Sequence, residues 1–204
     1  MKKLTKGDKT KQHLYECALE LFRTRGYDQV SVAEIVRSAG TAKGTFYIYF
    51  QTKADVINEL LHQYDDYYHT IYDALSPDLS VEERLDTIVT ESCRFTRDTI
   101  GRDLIRVLYE NHLAVGTGSG TMAMDRALYQ LIGLLISEGQ QTGRFDSSQE
   151  TETLTTLLIR CIRASYFEWC LQGDSFDLVQ ETLRMTRMFR RSFCCPVPQS
   201  PCDP

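Results

Sequence analysis

The residues best placed to do chemistry lie in one short stretch, and the chemistry is binding rather than bond-making. Lys43-Gly-Thr-Phe-Tyr-Ile-Tyr-Phe50 sets an ammonium, a threonine hydroxyl and two phenols among two phenylalanines. At helical spacing Phe46 and Phe50 share one face, which reads as core, while Lys43, Tyr47 and the edge of Tyr49 point elsewhere. Stability alone gives so short a helix no use for several exposed rings. Laid in the major groove of DNA it has one: ammonium and phenol donors meet phosphate oxygens, and the first helical residues meet base edges. The sequence therefore assigns Lys43, Tyr47, Tyr49 and Lys53 to phosphates. Ser31 and the backbone N–H groups after it add a contact from a helix N-terminus. Thr41, Ala42, Lys43, Gly44 and Thr45 are the candidates for base edges, with Gly44 allowing close backbone approach.

Other groupings fall short of a reaction. Glu59-x-x-His62 is half of a di-iron helix signature, without the second motif or the further glutamates. Asp65-Asp66 lacks a third carboxylate, and Glu110 and His112 face two directions. No glycine loop suits a phosphate and no nucleophile has an evident base. The sequence is thus read as a non-enzyme with no catalytic residue, metal site or cofactor. Seven cysteines (Cys17, Cys93, Cys161, Cys170, Cys194, Cys195 and Cys202) read first as buried free thiols. Cys194, Cys195 and Cys202 also suggest a thiol switch, so a redox-sensing regulator is the alternative to one that answers an organic ligand.

For such a ligand the candidate contacts are Tyr64, Tyr67, Tyr68, Phe95, Tyr109, His112, Met122, Met124, Tyr166, Phe167 and Trp169. Each singly is more often core than contact. As a set, beside a loop from Gly116 to Gly120 able to gate entry, they suit a lipophilic, aromatic or cationic small molecule.

The elements that must position these groups are helical. Ser31 caps a helix with Glu34 in the capping-box position, Val32, Ile35, Val36 and Ala39 form its apolar face, and Gly40 ends it. Upstream, Lys9 to Arg25 forms an amphipathic helix after a loose arm of residues 1–8. The module's expected core is Leu14, Ala18, Leu21, Phe22, Ile35, Val36, Phe46 and Phe50. Thr52, with Asp55, caps a single helix from Lys53 to about Leu75, a mechanical link from reader to body.

The helix, then G-T-A-K-G-T-F-Y-x-Y-F from Gly40 to Phe50, then Lys53 and a long helix, resembles the DNA-binding end of the tetracycline-repressor (TetR) family of bacterial regulators. The run F-R-T-R-G-Y-D-Q-V-S-V from Phe22 to Val32 is similar to that family as well. These motifs cover roughly the first quarter of the chain, and their joint spacing is more specific than a generic helix-turn-helix. The resemblance implies a ligand-responsive repressor that binds a double-stranded DNA operator as a homodimer. It also implies that Thr41 through Tyr49, and Lys53, are the positions used on DNA.

Composition agrees. Hydrophobic residues make up 42% and charged residues 25% of 204, enough to fill a core. The net charge of −5 is unevenly spread: residues 1–53 hold ten basic against five acidic side chains, and the remainder thirteen against twenty-three. A basic start on an acidic body is the footprint of an N-terminal nucleic-acid binder. The expected fold is all-α: a three-helix DNA-binding domain (1–53), a ligand-binding and dimerisation bundle (54–193) and a Pro/Cys tail (194–204), about nine helices in all. In the bundle, helices run from Ser80, past a break near Gly101, over Met122 to Gln141, over 148–172 and from Phe176 to Phe193. The last two carry wide apolar faces and are assigned to a homodimer interface. No apolar run spans a membrane and no signal peptide leads the chain, so the expected location is the cytoplasm.

Overall fold

A computed structural model describes residues 5–115 and 126–195. Met122, Met124 and the Gly116–Gly120 loop lie outside the described residues, as does Cys202. Within them the chain is helical, apart from an isolated bridge between Phe145 and Cys194. It divides into two compact units, one of Met1–Tyr64 with Ile100–Met122 and one of Asp65–Thr99 with Ala123–Pro204.

In the first unit α1 (Lys6–Arg25), α2 (Val32–Ser38), α3 (Lys43–Tyr49) and α4 (Lys53–Asn58) follow one another, and α7 (Arg102–Val115) packs against α4. Capping boxes start α1, α2 and α4: the Asp8, Glu34 and Asp55 carboxylates accept the N–H of Thr5, Ser31 and Thr52 at 2.8–2.9 Å. The Thr5–Asp8 box begins α1 within the expected loose arm. Gly40, at φ +62°, supplies the left-handed residue that lets the chain leave α2 and enter α3. Leu14, Ala18, Phe22, Ile35, Val36, Phe46 and Phe50 are buried as expected, but the α1 stripe is turned towards Tyr15 and Leu19. That rotation leaves Leu21 at the margin, half-buried.

The helix expected from Lys53 to Leu75 is instead two. The ladder tightens at Glu59, whose N–H bonds the Val56 carbonyl at 3.2 Å and whose own carbonyl accepts from His62 at 3.1 Å. There Glu59 reaches Lys11 of α1 at 2.6 Å, and α5 (Leu60–Ala74) starts beyond it. The boundary between the units falls inside α5.

The second unit holds the rest of α5, α6 (Val81–Arg94), α8 (Ala127–Gln141), α9 (Thr151–Gln172) and α10 (Leu178–Arg191). A π-helical stretch, Phe95–Ile100, follows α6, and Gly101 at φ +89° turns the chain into α7. Helix α10 packs on both α6 and α9, and α8 on α6 and α9. Leu85, Ile88, Ile132, Leu135, Leu158, Ile162 and Leu178 fill the centre. Leu157 and Cys161, expected on the buried stripe of α9, are half-buried because the stripe runs through Thr155, Ile159 and Tyr166. Phe145 inserts so closely beside Gly139 that a Cβ there would lie 2.1 Å from its ring, and Phe193 meets Phe145 edge-on at 5.2 Å. Asp146 and Cys195 donate to the carbonyls of Phe193 and Arg144, which ties the end of α10 to the α8–α9 turn.

Candidate nucleic-acid interface

Three short helices cannot bury much, so α3 is held by a few large anchors. Phe46 is fully buried, Phe50 nearly so, and their rings lie 5.4 Å apart. With these two fixed inward, α3 has one rotational setting, and Ala42, Lys43, Gly44, Tyr47 and Ile48 are exposed. Lys43 reaches over the Tyr47 ring at 6.0 Å, pairing a cation with an aromatic donor on one edge of the helix. Tyr49 is half-buried on the other edge; its hydroxyl comes within 3.5 Å of where a Cβ on Gly7 would stand. Thr45 is half-buried. This is a polar, donor-rich strip on a rigid base, which suits phosphate positioning.

Ser31 lies exposed at the start of α2, with its hydroxyl engaged by Glu34 at 2.7 Å. The Ser31 hydroxyl, the Ser31 N–H and Arg25 together pull the Glu34 carboxyl down to about 2. Arg25 grips Glu34 at 2.7 Å, which fixes α2 against the end of α1.

Two assigned residues sit differently from the sequence expectation. The Lys53 ammonium donates to the carbonyls of Tyr27 at 2.7 Å and Val30 at 2.9 Å and lies 4.1 Å from the centre of the Tyr27 ring. With two of its three donors spent on the α1–α2 turn, Lys53 acts as an internal tie and keeps at most one N–H for a phosphate. The Thr41 hydroxyl, assigned to a base edge, is buried with no hydrogen-bond partner among the described residues, so it is not presented outward. Within the span Thr41 through Tyr49, the residue given no contact of its own by the sequence is Ile48: it lies opposite the Phe46–Phe50 face and is 75% exposed.

The aromatic set assigned to a small molecule is divided between the units. Tyr64, Tyr109 and His112 belong to the first, and Tyr67, Tyr68, Phe95, Tyr166, Phe167 and Trp169 to the second. In the second unit Ser92 Oγ bonds the buried hydroxyls of Tyr68 at 2.8 Å and Tyr166 at 2.6 Å. Burial pushes the Tyr68 phenol up and the neighbouring Cys93 thiol up to about 11. Tyr67 stacks on Phe95 at 4.2 Å. Phe167, by contrast, about 100° further round α9 than Tyr166, is 47% exposed. Burial also raises the Cys161 and Cys194 thiols, which lowers their thiolate fraction.

An exposed, donor-bearing helix pinned from behind as the second element of a helix-turn-helix defines a DNA-binding transcriptional regulator. Residues 14–60 match the family model for bacterial regulatory proteins of the tetR family. Over 184 residues the chain is 24% identical to the HTH-type transcriptional regulator YdgC of Bacillus subtilis, covering 89% of this chain and 92% of that one. It is similar in fold to Thermus thermophilus FadR, a TetR-family repressor solved with lauroyl-CoA, with a TM-score of 0.72 at 20% identity over 95% of this chain and 99% of the other. Bacillus subtilis FadR with stearoyl-CoA gives a TM-score of 0.61 at 17% identity over 88% and 97%. The match to the tetR family model thus lies in the DNA-binding end of the chain, and the solved structures share the fold of nearly all of it.

Proposed function

We propose that the chain is a repressor that binds a palindromic operator as a homodimer and is released by a lipophilic or aromatic small molecule. The observation that carries the reading is the setting of α3: Phe46 and Phe50 are buried, and Lys43, Gly44 and Tyr47 are turned to solvent. One such helix reads too few bases to find a site in a genome. Two related by a two-fold axis, about 34–36 Å apart, would read both halves of a palindrome. Support for dimerisation through the last long helices comes from the second unit's surface. Phe167 and Leu171 of α9 and Met188 of α10 are exposed, and a groove of about 500 Å³ runs between these helices past Phe176 and Met185. Leu134 of α8 borders a second groove, of about 540 Å³, against α9.

The effector acts by binding one conformation better than another. Helix α5 carries residues of both units, so the chain itself offers a path from body to reader. On this reading the protein works on chromosomal DNA, in the cytoplasm. Selection from a random duplex pool should enrich a palindrome, and Tyr47→Ala and Lys43→Ala should lose it. Fatty acyl thioesters are the first probes, since two proteins of similar fold were solved with them. A saturating effector should lower operator affinity while the protein stays dimeric; release as monomers would overturn this mechanism.

A further inference from the structure

The outward face of α3 is centred on a hydrocarbon. With Phe46 pointing inward and about 100° per residue, Gly44 lies about 160° and Ile48 about 200° round the helix. Gly44 carries no side chain, and a Cβ placed on it would meet nothing within 4 Å. The middle of the exposed face is therefore Ile48 alone, 75% exposed and flanked by Thr45, Tyr47 and Lys43. Nothing in the fold accounts for it. Isoleucine is a poorer helix former than Leu, Lys or Gln, and here it gains no burial.

If α3 lies in the major groove, this residue faces the base edges. Among the groups displayed there, thymine alone offers an apolar one, the C5 methyl; the rest are hydrogen-bond donors and acceptors that an alkyl group cannot satisfy. We infer that Ile48 is a specificity-determining residue that packs on the C5 methyl of one thymine in each half-site. This rests on the proposed DNA reading and adds to it the base type that the centre of α3 selects. The bare Gly44 one turn earlier leaves the room that lets the branched side chain come down onto a base edge.

The test uses the intact chain and the duplex it enriches from a random pool. Each thymine is replaced in turn by deoxyuridine, which removes one methyl and keeps every hydrogen-bonding group. Affinity is measured at fixed salt, because salt alone moves it. At one symmetric pair of positions the loss should be about fourfold for one half-site and about fifteenfold for both, from the transfer free energy of one buried methyl each. Ile48→Ala should bind thymine and uracil duplexes equally, at the wild-type affinity for the uracil duplex, and Ile48→Val should keep most of the discrimination. An unchanged melting temperature for Ile48→Ala shows that the fold is intact. Uracil tolerated at every position, or discrimination retained by Ile48→Ala, overturns the inference while leaving the DNA reading standing. Failure of the wild-type chain to enrich any duplex overturns both.

Discussion

The outward faces of α3 and of α9 and α10 are built on opposite terms. Helix α3 shows solvent Lys43, Gly44, Tyr47 and Ile48, behind which Phe46 and Phe50 are buried. Helices α9 and α10 show Phe167, Leu171 and Met188 beside long buried stripes. In the short helix a few large anchors fix the rotation, and the exposed side is left for the DNA contacts proposed above. In the long helices the buried side already satisfies the core, and the extra apolar surface is the face proposed above for dimerisation. The difference teaches that an exposed ring next to cations and an exposed ring next to methionine and leucine have different explanations.

The sharpest way to break the comparison is to remove an anchor. Phe46→Ala should cost about 3–5 kcal/mol in the reader's stability and abolish operator binding, with dimerisation unchanged. Urea denaturation followed by hydrogen exchange at α3 and at α9 checks this, and equal loss in both places would contradict it. In the second unit Gly139→Ala drives a Cβ into the Phe145 ring and should cost about 1–3 kcal/mol with operator specificity retained. Thermal unfolding and duplex selection on the same variant read the two effects.

How much of this was legible from the chain depends on element length. The capping boxes at Ser31 and Ser80, the Gly40 turn and the inward Phe46–Phe50 pair follow from local rules, and the structure has all of them. The tie made by Lys53 was not legible: it joins residues 23 and 26 positions apart, so nothing in the local spacing announces it. The division at Glu59 was hidden for the same reason, since its partner Lys11 lies on α1. Ile48 could have been found from phase alone, as the residue opposite two buried phenylalanines. The aromatic set was chosen by residue type, which cannot separate a buried Tyr166 from an exposed Phe167 one position later.

A smaller effect separates the two lysines. Lys53→Ala takes the ammonium from the Val30 carbonyl and leaves the Tyr27 carbonyl with only the Val30 N–H at 3.3 Å, and should cost about 1–2 kcal/mol of stability. Lys43→Ala should leave the melting temperature unchanged. Smaller again is the pH response of the capping boxes. Hydrogen bonds from the Thr5 and Ser80 residues hold the Asp8 and Glu83 carboxyls below their ordinary range, and Ser31 with Arg25 brings Glu34 to about 2. The folded chain binds these protons more weakly than the unfolded chain. Their contribution is therefore whole above the ordinary carboxylate range and drains as pH falls, ending near 2 for Glu34. Glu34→Gln should flatten the acid limb of a stability–pH curve without moving its neutral end by the same amount as Phe46→Ala.

The salt dependence of operator affinity tests most directly the claim that the outward face of α3 meets DNA. Each lysine–phosphate contact adds about 0.9 to the slope of log affinity against log salt, so a dimer of Lys43→Ala should lose about 1.8 from that slope. Lys53→Ala, compared at matched folded fraction, should lose less. An unchanged slope for Lys43→Ala, with wild-type affinity throughout, would contradict the account.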